Sequence, residues 1–330
     1  MSKNQFYEKK GPFPLLDIAK AIGCVLSSNQ KNMMIHGFES LVSSSNKDMT
    51  FLNSIKYKDL STKTKAAACI TSSNLFKFLP DECIKLNVKN TLFAVTQVSK
   101  LFYPSADIDI PDEKLISSDS LKSLYPKVKF GHNVLIGKNV IIKKNTYIGS
   151  NTILESNISI GENCLIGSFV LIRNSLIAND VHVQDGVKIG VKGFGFIPMK
   201  EKNIRSPHIG MVILDEGVEI GANSTIDRGS LTNTVIGKNT FLDNQVHVAH
   251  NVKIGKNCMI AGQVGFAGSS IIGDNVVIGG QSGVSGHLKI GNNVKIGGGS
   301  GVINDIKDNQ QIMGYPAVPL KDFIKQRKNK

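Results

Sequence analysis

The chain has 330 residues, 41% hydrophobic and 20% charged, enough apolar length for a large core and two domains. Lysine and arginine exceed aspartate and glutamate by 39 − 26 = 13, a balance that favours anionic partners. No compact basic helix with interleaved aromatics accompanies that charge, which argues against nucleic acid, and no apolar run reaches the length of an integral membrane segment.

Taken in order, the opening MSKNQFYEKKGPF lacks the apolar run of a secretory signal. The five cysteines (Cys24, Cys69, Cys83, Cys164, Cys258) are scattered and odd in number, so they read as reduced thiols. A cytoplasmic location is expected. Residues 1–105 show no regular repeat. Leu15 to Ile22 has helical spacing and stops at Gly23, a C-cap residue. Strand-like runs lie at Thr50–Leu52 and Ala67–Ile70, and a second helix is predicted from Leu92 to Phe102, ending before Pro104. Together these predict a small α/β domain. Residues 106–127 read as a connector or a first irregular coil.

A sixfold frame then begins. Phe130, Ile136, Ile142, Ile148, Leu154, Ile160, Ile166 and Ile172 are six apart; the frame slips by one to Ile177 and resumes at Val183 and Ile189. From Ile236 it runs without a slip through Leu242, Val248, Ile254, Ile260, Phe266, Ile272, Ile278, Val284, Ile290 and Ile296 to Val302. Smaller residues recur two places earlier, and a tiny residue nearly always follows. A period of six fits neither a helix nor a hairpin; it fits short strands joined by tight turns, three to a triangular coil. The fold class is therefore mainly β, a parallel β-helix of hexapeptide repeats over 106–313. Excursions are expected at 191–212, which contains Gly193-Phe194-Gly195-Phe196, and at 227–235. Long loops on a rigid coil are where binding function tends to sit. The tail 314–330 carries prolines that cannot extend a ladder and closes on the basic stretch KDFIKQRKNK.

Three of the seven histidines lie in the unbroken repeat. His247, between inward Val246 and Val248, faces outward. His250 falls at a turn, where Gly268 and Gly286 take its place one and two coils later, and His287 follows Gly286. With ~4.8 Å between stacked strands, His250 and His287 are roughly 10 Å apart along the axis, which suits an acyl chain or pantetheine arm. His247-x-x-His250 also has zinc-like spacing, but strand and turn aim those side chains differently and no third ligand stands nearby; no metal is expected.

The run Asp243-Asn244-Gln245-Val246-His247-Val248-Ala249-His250-Asn251, with Ile226-Asp227-Arg228-Gly229, the Gly193–Phe196 loop and Gly286-His287, resembles the signature of the UDP-3-O-acylglucosamine N-acyltransferases of lipid A biosynthesis. The resemblance spans essentially the whole chain. It implies a left-handed coil, a homotrimer, a UDP-sugar acceptor, and acyl carrier protein with its phosphopantetheine thioester as co-substrate, with no further cofactor. It also implies that His250 is the general base and that His287 stabilises the oxyanion or places the nucleotide. Backbone N–H groups around Gly268 could share the oxyanion work. Asn251, Gly268 and Gly286 join the substrate-binding set. Phe51 and Tyr57 match the aromatic pair that sandwiches the uracil; Ser54 stands where the family usually has Asn, with Asn53 before it. Asp243 is a candidate orienter, but it lies one triangle face from His250, so an Asp–His pairing is expected to cross a subunit boundary. The rival readings are a UDP-N-acetylglucosamine O-acyltransferase, which begins directly with the β-helix, and a non-catalytic β-helical scaffold. Finally, Gly297-Gly298-Gly299-Ser300-Gly301 has almost no side-chain volume, so an acyl groove running that way is expected to find no plug.

Overall fold

The computed structural model describes residues 5–26 and 32–328. It divides into two compact units: residues up to Ile108 with Gly195–Ile209, and Asp109–Phe194 with Gly210 onward.

The first unit is built on a four-stranded parallel sheet, Gly37–Phe38, Asp48–Leu52, Ala68–Thr71 and Ile84–Asn87, with neighbours in chain order. Helix Leu15–Ile22 buries Leu15, Ile18, Ala19 and Ile22, a single stripe at helical spacing. Gly23 ends it at φ 67°, its N–H reaching back to Ala19 and Lys20. Helix Thr91–Phe102 is capped by Asn90, whose side chain accepts from the Phe93 N–H at 3.0 Å. Residues Gly195–Ile209 join this unit as a hairpin, Phe196–Pro198 against Asn203–Arg205. Thr96 of the second helix hydrogen-bonds Ser206 at 3.2 Å.

The second unit is the left-handed parallel β-helix. Strands mostly two residues long stack into three faces at a step of 18, as in His247↔Gly265↔Gly283↔Gly301. Inward residues such as Ile148, Ile160, Val248 and Phe266 are fully buried. Each buried aliphatic contributes roughly 1.5–3 kcal/mol, so the ladder carries much of the stability. Corners repeatedly place one residue at positive φ, as at Asn139, Asn257, Asn275 and Asn293. Asparagine tolerates that conformation, and these side chains form ladders, Asn257→Asn275→Asn293 at 3.3 and 3.1 Å. The tiny residue after each inward position is required by the next coil: a β-carbon on Gly149 would lie 2.4 Å from the Gly167 carbonyl carbon.

Both excursions are shorter than the sequence frame suggests. A register shift at Gly190 lets Val191 and Lys192 pair with Asp227 and Arg228, so those four residues remain strand. The second excursion is therefore only the turn 229–233, because Thr234–Ile236 already pairs again. Arg228, with no exposed side-chain surface, ties these elements together. It grips Asp109 at 3.0 and 2.5 Å and donates to the Gly190 carbonyl at 3.0 Å. Asp109 also accepts from the Lys192 N–H at 3.1 Å and pairs with Arg173, which itself pairs with Glu155. The connector so anchored adds Ile116–Ser117 antiparallel to Leu135–Ile136 at one end of its sheet. At the other end Gln311–Met313 continues the stack and Val318–Pro319 turns back on it before helix Leu320–Lys328.

Candidate active site

One face of the coil holds an open groove of about 660 Å³. Its floor is the outward column Gly265, Gly283 and Gly301, stacked in register above His247. His247, Ala249 and His250 line its head, with exposed Phe194 beside them.

The His250 ring does not merely border a glycine gap; it fills it. A β-carbon on Gly268 would lie 2.6–2.7 Å from ring Cε1 and Nε2, so only glycine at 268 admits the imidazole in this pose. His250 Nδ1 lies 3.0 Å from Asn251 Oδ1. The Asn251 amide also meets Ser230 and Thr232 across the short turn, which occupies both of its ends. Ser269 N–H donates to the His250 carbonyl, and among the described residues the Gly268 N–H has no acceptor.

His247 is held on the same face. Thr225, directly opposite in register, hydrogen-bonds its Nδ1 at 2.7 Å, and Asp227 Oδ2 lies 3.9 Å from Nε2. Burial raises the Asp227 carboxyl above the usual range, opposed by its electrostatic interaction with the neighbouring His247, His250 and Arg228. Among the described residues no group of three His, Cys, Asp or Glu side chains is placed to hold a metal ion.

The other expected residues are dispersed. His287 stands exposed at a corner with φ 60°, two coils past His250 and outside the groove lining; its N–H donates to the Gly268 carbonyl at 3.1 Å. Gly286 shares the corner column of His250 and Gly268. Asp243 is exposed at the neighbouring corner, and among the described residues its carboxylate makes no hydrogen bond or ion pair. One strand, His247–Val248, lies between it and His250. At its far end Tyr315 of the tail lines the groove beside Gly301, a side chain that the glycine run by itself does not supply. The tail folds back over the last coil, which a repeat frame cannot reveal.

In the first unit, Phe51 is half-buried, its ring 6.1 Å from that of Phe38. Tyr57 packs against the cluster around Leu52, Cys69 and Leu75, and burial raises its phenol pKa. Asn53 is exposed just beyond its strand. Ser54 is not free to replace the expected Asn without cost, because its hydroxyl caps the turn Ile55–Tyr57, accepting from the Lys56 N–H at 3.3 Å.

Comparison with known proteins bears on this arrangement. The model for bacterial transferase hexapeptide (six repeats) matches residues 140–174 and 233–268, and that for the hexapeptide repeat of succinyl-transferase matches 270–303. A UDP-3-O-acylglucosamine N-acyltransferase of Granulibacter bethesdensis is 46% identical over 98% of this chain and 94% of its own length. The chain belongs to the UDP-3-O-acylglucosamine N-acyltransferase family. UDP-3-O-acylglucosamine N-acyltransferase 2 of Legionella pneumophila strain Paris is 42% identical over 99% of this chain and 95% of that one. Among solved structures, a UDP-N-acetylglucosamine acyltransferase from Campylobacter jejuni aligns at TM-score 0.48 and 21% identity, covering 62% of this chain and 77% of that one. Sequence reasoning quoted Asp227 only as part of a motif and did not single out Thr225, Ser230 or Thr232, which with it surround His247 and Asn251. The signal was present in the alternation of Thr225 and Asp227 opposite His247, but the four-residue insertion after Arg228 hid the register.

Proposed function

We propose that the protein moves a 3-hydroxyacyl group from the phosphopantetheine thioester of acyl carrier protein to the 2-amine of a UDP-3-O-(3-hydroxyacyl)glucosamine, as a step of lipid A biosynthesis. The observation that carries this reading is the His250 imidazole set over Gly268 at the head of a glycine-floored groove. The amine attacks the thioester carbonyl and His250 Nε2 takes the amine proton. The tetrahedral oxyanion collapses, the C–S bond breaks, and the proton passes to the departing thiolate. A positioned base supplies about 10²–10⁴-fold. The unengaged Gly268 N–H is the candidate donor to the oxyanion, a role His287 would share or exchange for placing the nucleotide.

No cofactor is needed beyond the carrier's own thioester. Phe51, Tyr57 and Asn53 are the candidate uridine contacts. The working form is a homotrimer with the groove covered by a neighbouring copy, supported by the outward stack of Phe241 and Met259, both exposed on a flat face. No helix among the described residues is long and apolar enough to cross a membrane, and the proposed site of action is the cytoplasm. Thioester turnover with amine and hydroxyl sugar acceptors tests the reading: acylation of the amine alone supports it, and preference for the hydroxyl would make the chain an O-acyltransferase.

A further inference from the structure

The turn 229–233 takes no part in the reaction so far, yet it is folded around one side chain. Asn251 Oδ1 accepts from the Ser230 N–H at 3.0 Å and the Ser230 hydroxyl at 2.8 Å. Asn251 Nδ2 donates to the Thr232 carbonyl at 3.1 Å and the Thr232 hydroxyl at 2.5 Å. Its backbone N–H donates to Thr234 Oγ1 at 2.9 Å, and its φ of 63° is one that asparagine tolerates. The turn is closed so tightly that a β-carbon on Gly229 would lie 1.6 Å from the Thr232 carbonyl oxygen.

Because a backbone N–H meets one end of the amide and a backbone carbonyl the other, the amide cannot flip. Its oxygen only accepts hydrogen bonds. The ring nitrogen 3.0 Å away must therefore be the donor, so His250 Nδ1 carries the proton and the lone pair of the neutral ring sits on Nε2, against Gly268. We propose that Asn251 is not a substrate contact but a positioning residue, clamped by the 229–233 turn so that His250 always presents Nε2 as its basic nitrogen. This rests on the reading of His250 as the base.

The orienter is neutral, unlike the carboxylate expected at Asp243. Among the described residues, Asp227 interacts electrostatically with His250 and is followed by Arg228 on the preceding coil; His247 lies on the strand before His250, His287 two coils on and Asp243 at another corner. Aspartate at 251 would add a charge within hydrogen-bond reach of Nδ1 and favour the imidazolium. It would also set an oxygen against the Thr232 carbonyl.

The test is kcat/KM against pH for Asn251→Ala and Asn251→Asp, with melting temperatures, beside ¹⁵N-histidine NMR of the wild-type protein. Asn251→Ala should lower kcat roughly 10–100-fold, the scale seen when metal-ligating imidazoles lose the partner that orients them, with both KM values kept. Asn251→Asp should move the acid limb up by about one pH unit. The NMR resonance that vanishes in His250→Ala should report a proton on Nδ1. A raised KM with kcat kept would make Asn251 a substrate contact, and an unmoved acid limb with a lowered melting temperature would make it structural only. Should neither variant fold, the wild-type spectrum still decides, and a proton on Nε2 overturns the proposal. Wild-type turnover by His250→Ala would remove the base itself, an outcome distinct from all of these.

Discussion

Tyr315 stands in the volume that a side chain at Gly301 would fill: a β-carbon there would lie 2.2 Å from Tyr315 Cδ2. The glycine floor runs from Gly265 through Gly283 to Gly301, and the tail's ring lines the far end of the groove that begins at His250. Tyr315→Ala should therefore shift preference toward longer 3-hydroxyacyl donors. Each buried methylene is worth ~0.8 kcal/mol, so a chain two carbons longer should gain roughly tenfold in the variant. Gly301→Met has to displace the ring first, and any effect on selectivity is expected only in a variant that keeps its melting temperature. Competition between donors of different length checks this; an unchanged length profile in Tyr315→Ala would place the acyl chain elsewhere.

The ionic cluster around Arg228 predicts an acid limit to stability. Burial alone would raise the Asp109 carboxyl, but the hydrogen bonds and charge of Arg228, with the charge of Arg173, hold it at about 2. An unfolded aspartate titrates near 3.9, so this carboxylate contributes on the order of 2 kcal/mol that is fully present above about pH 4. That contribution is lost as pH falls toward 2. Asp109→Asn should flatten the dependence in that window. It should also cost about 3–5 kcal/mol at neutral pH, since Arg228 is left buried without its counterion. Denaturant melts from pH 2 to 7 measure both; an Asp109→Asn protein as stable as wild type at pH 7 would contradict the anchor.

Much of this architecture was legible from the chain, and the failures have physical causes. The aliphatic frame from Ile236 to Val302 predicts every strand there, because each inward residue must meet the one 18 places on. The helix stop at Gly23 was equally readable. The excursion bounds were not, since the register shift at Gly190 keeps Val191 and Lys192 in the sheet against residues far along the chain. In the site, the alignment of His250 with Gly268 follows from the period. The burial of the Asn251 amide inside the 229–233 turn does not, because insertion length alone says nothing of where a loop folds.

Charge on the tail should govern the encounter with an acidic carrier protein. Lys325 and Arg327 lie on helix Leu320–Lys328, with the Arg327 guanidinium 5.0 Å from the Phe323 ring centroid. Reversing both to Glu should raise the KM for the acyl carrier several-fold, mostly through the on-rate, and leave the KM for the nucleotide sugar alone. Equal changes in both constants would show that the tail acts on folding.

Light scattering of the active protein should give the mass of three chains. Placing Lys at Phe241 or Met259, which stack outward on one flat face, should weaken that assembly and activity together. A fully active monomer would show that the groove works without a neighbour.

The proposed role of His250 as the general base is the central claim. His250 is a corner residue whose side chain lies outside the inward ladder, so His250→Ala should leave the coil and its melting temperature intact. Turnover of 3-hydroxyacyl carrier protein with the amine acceptor, measured on that folded variant, is the most direct measurement. A fall in kcat of about 10²-fold or more is the predicted result. A kcat within a few-fold of wild type would contradict it.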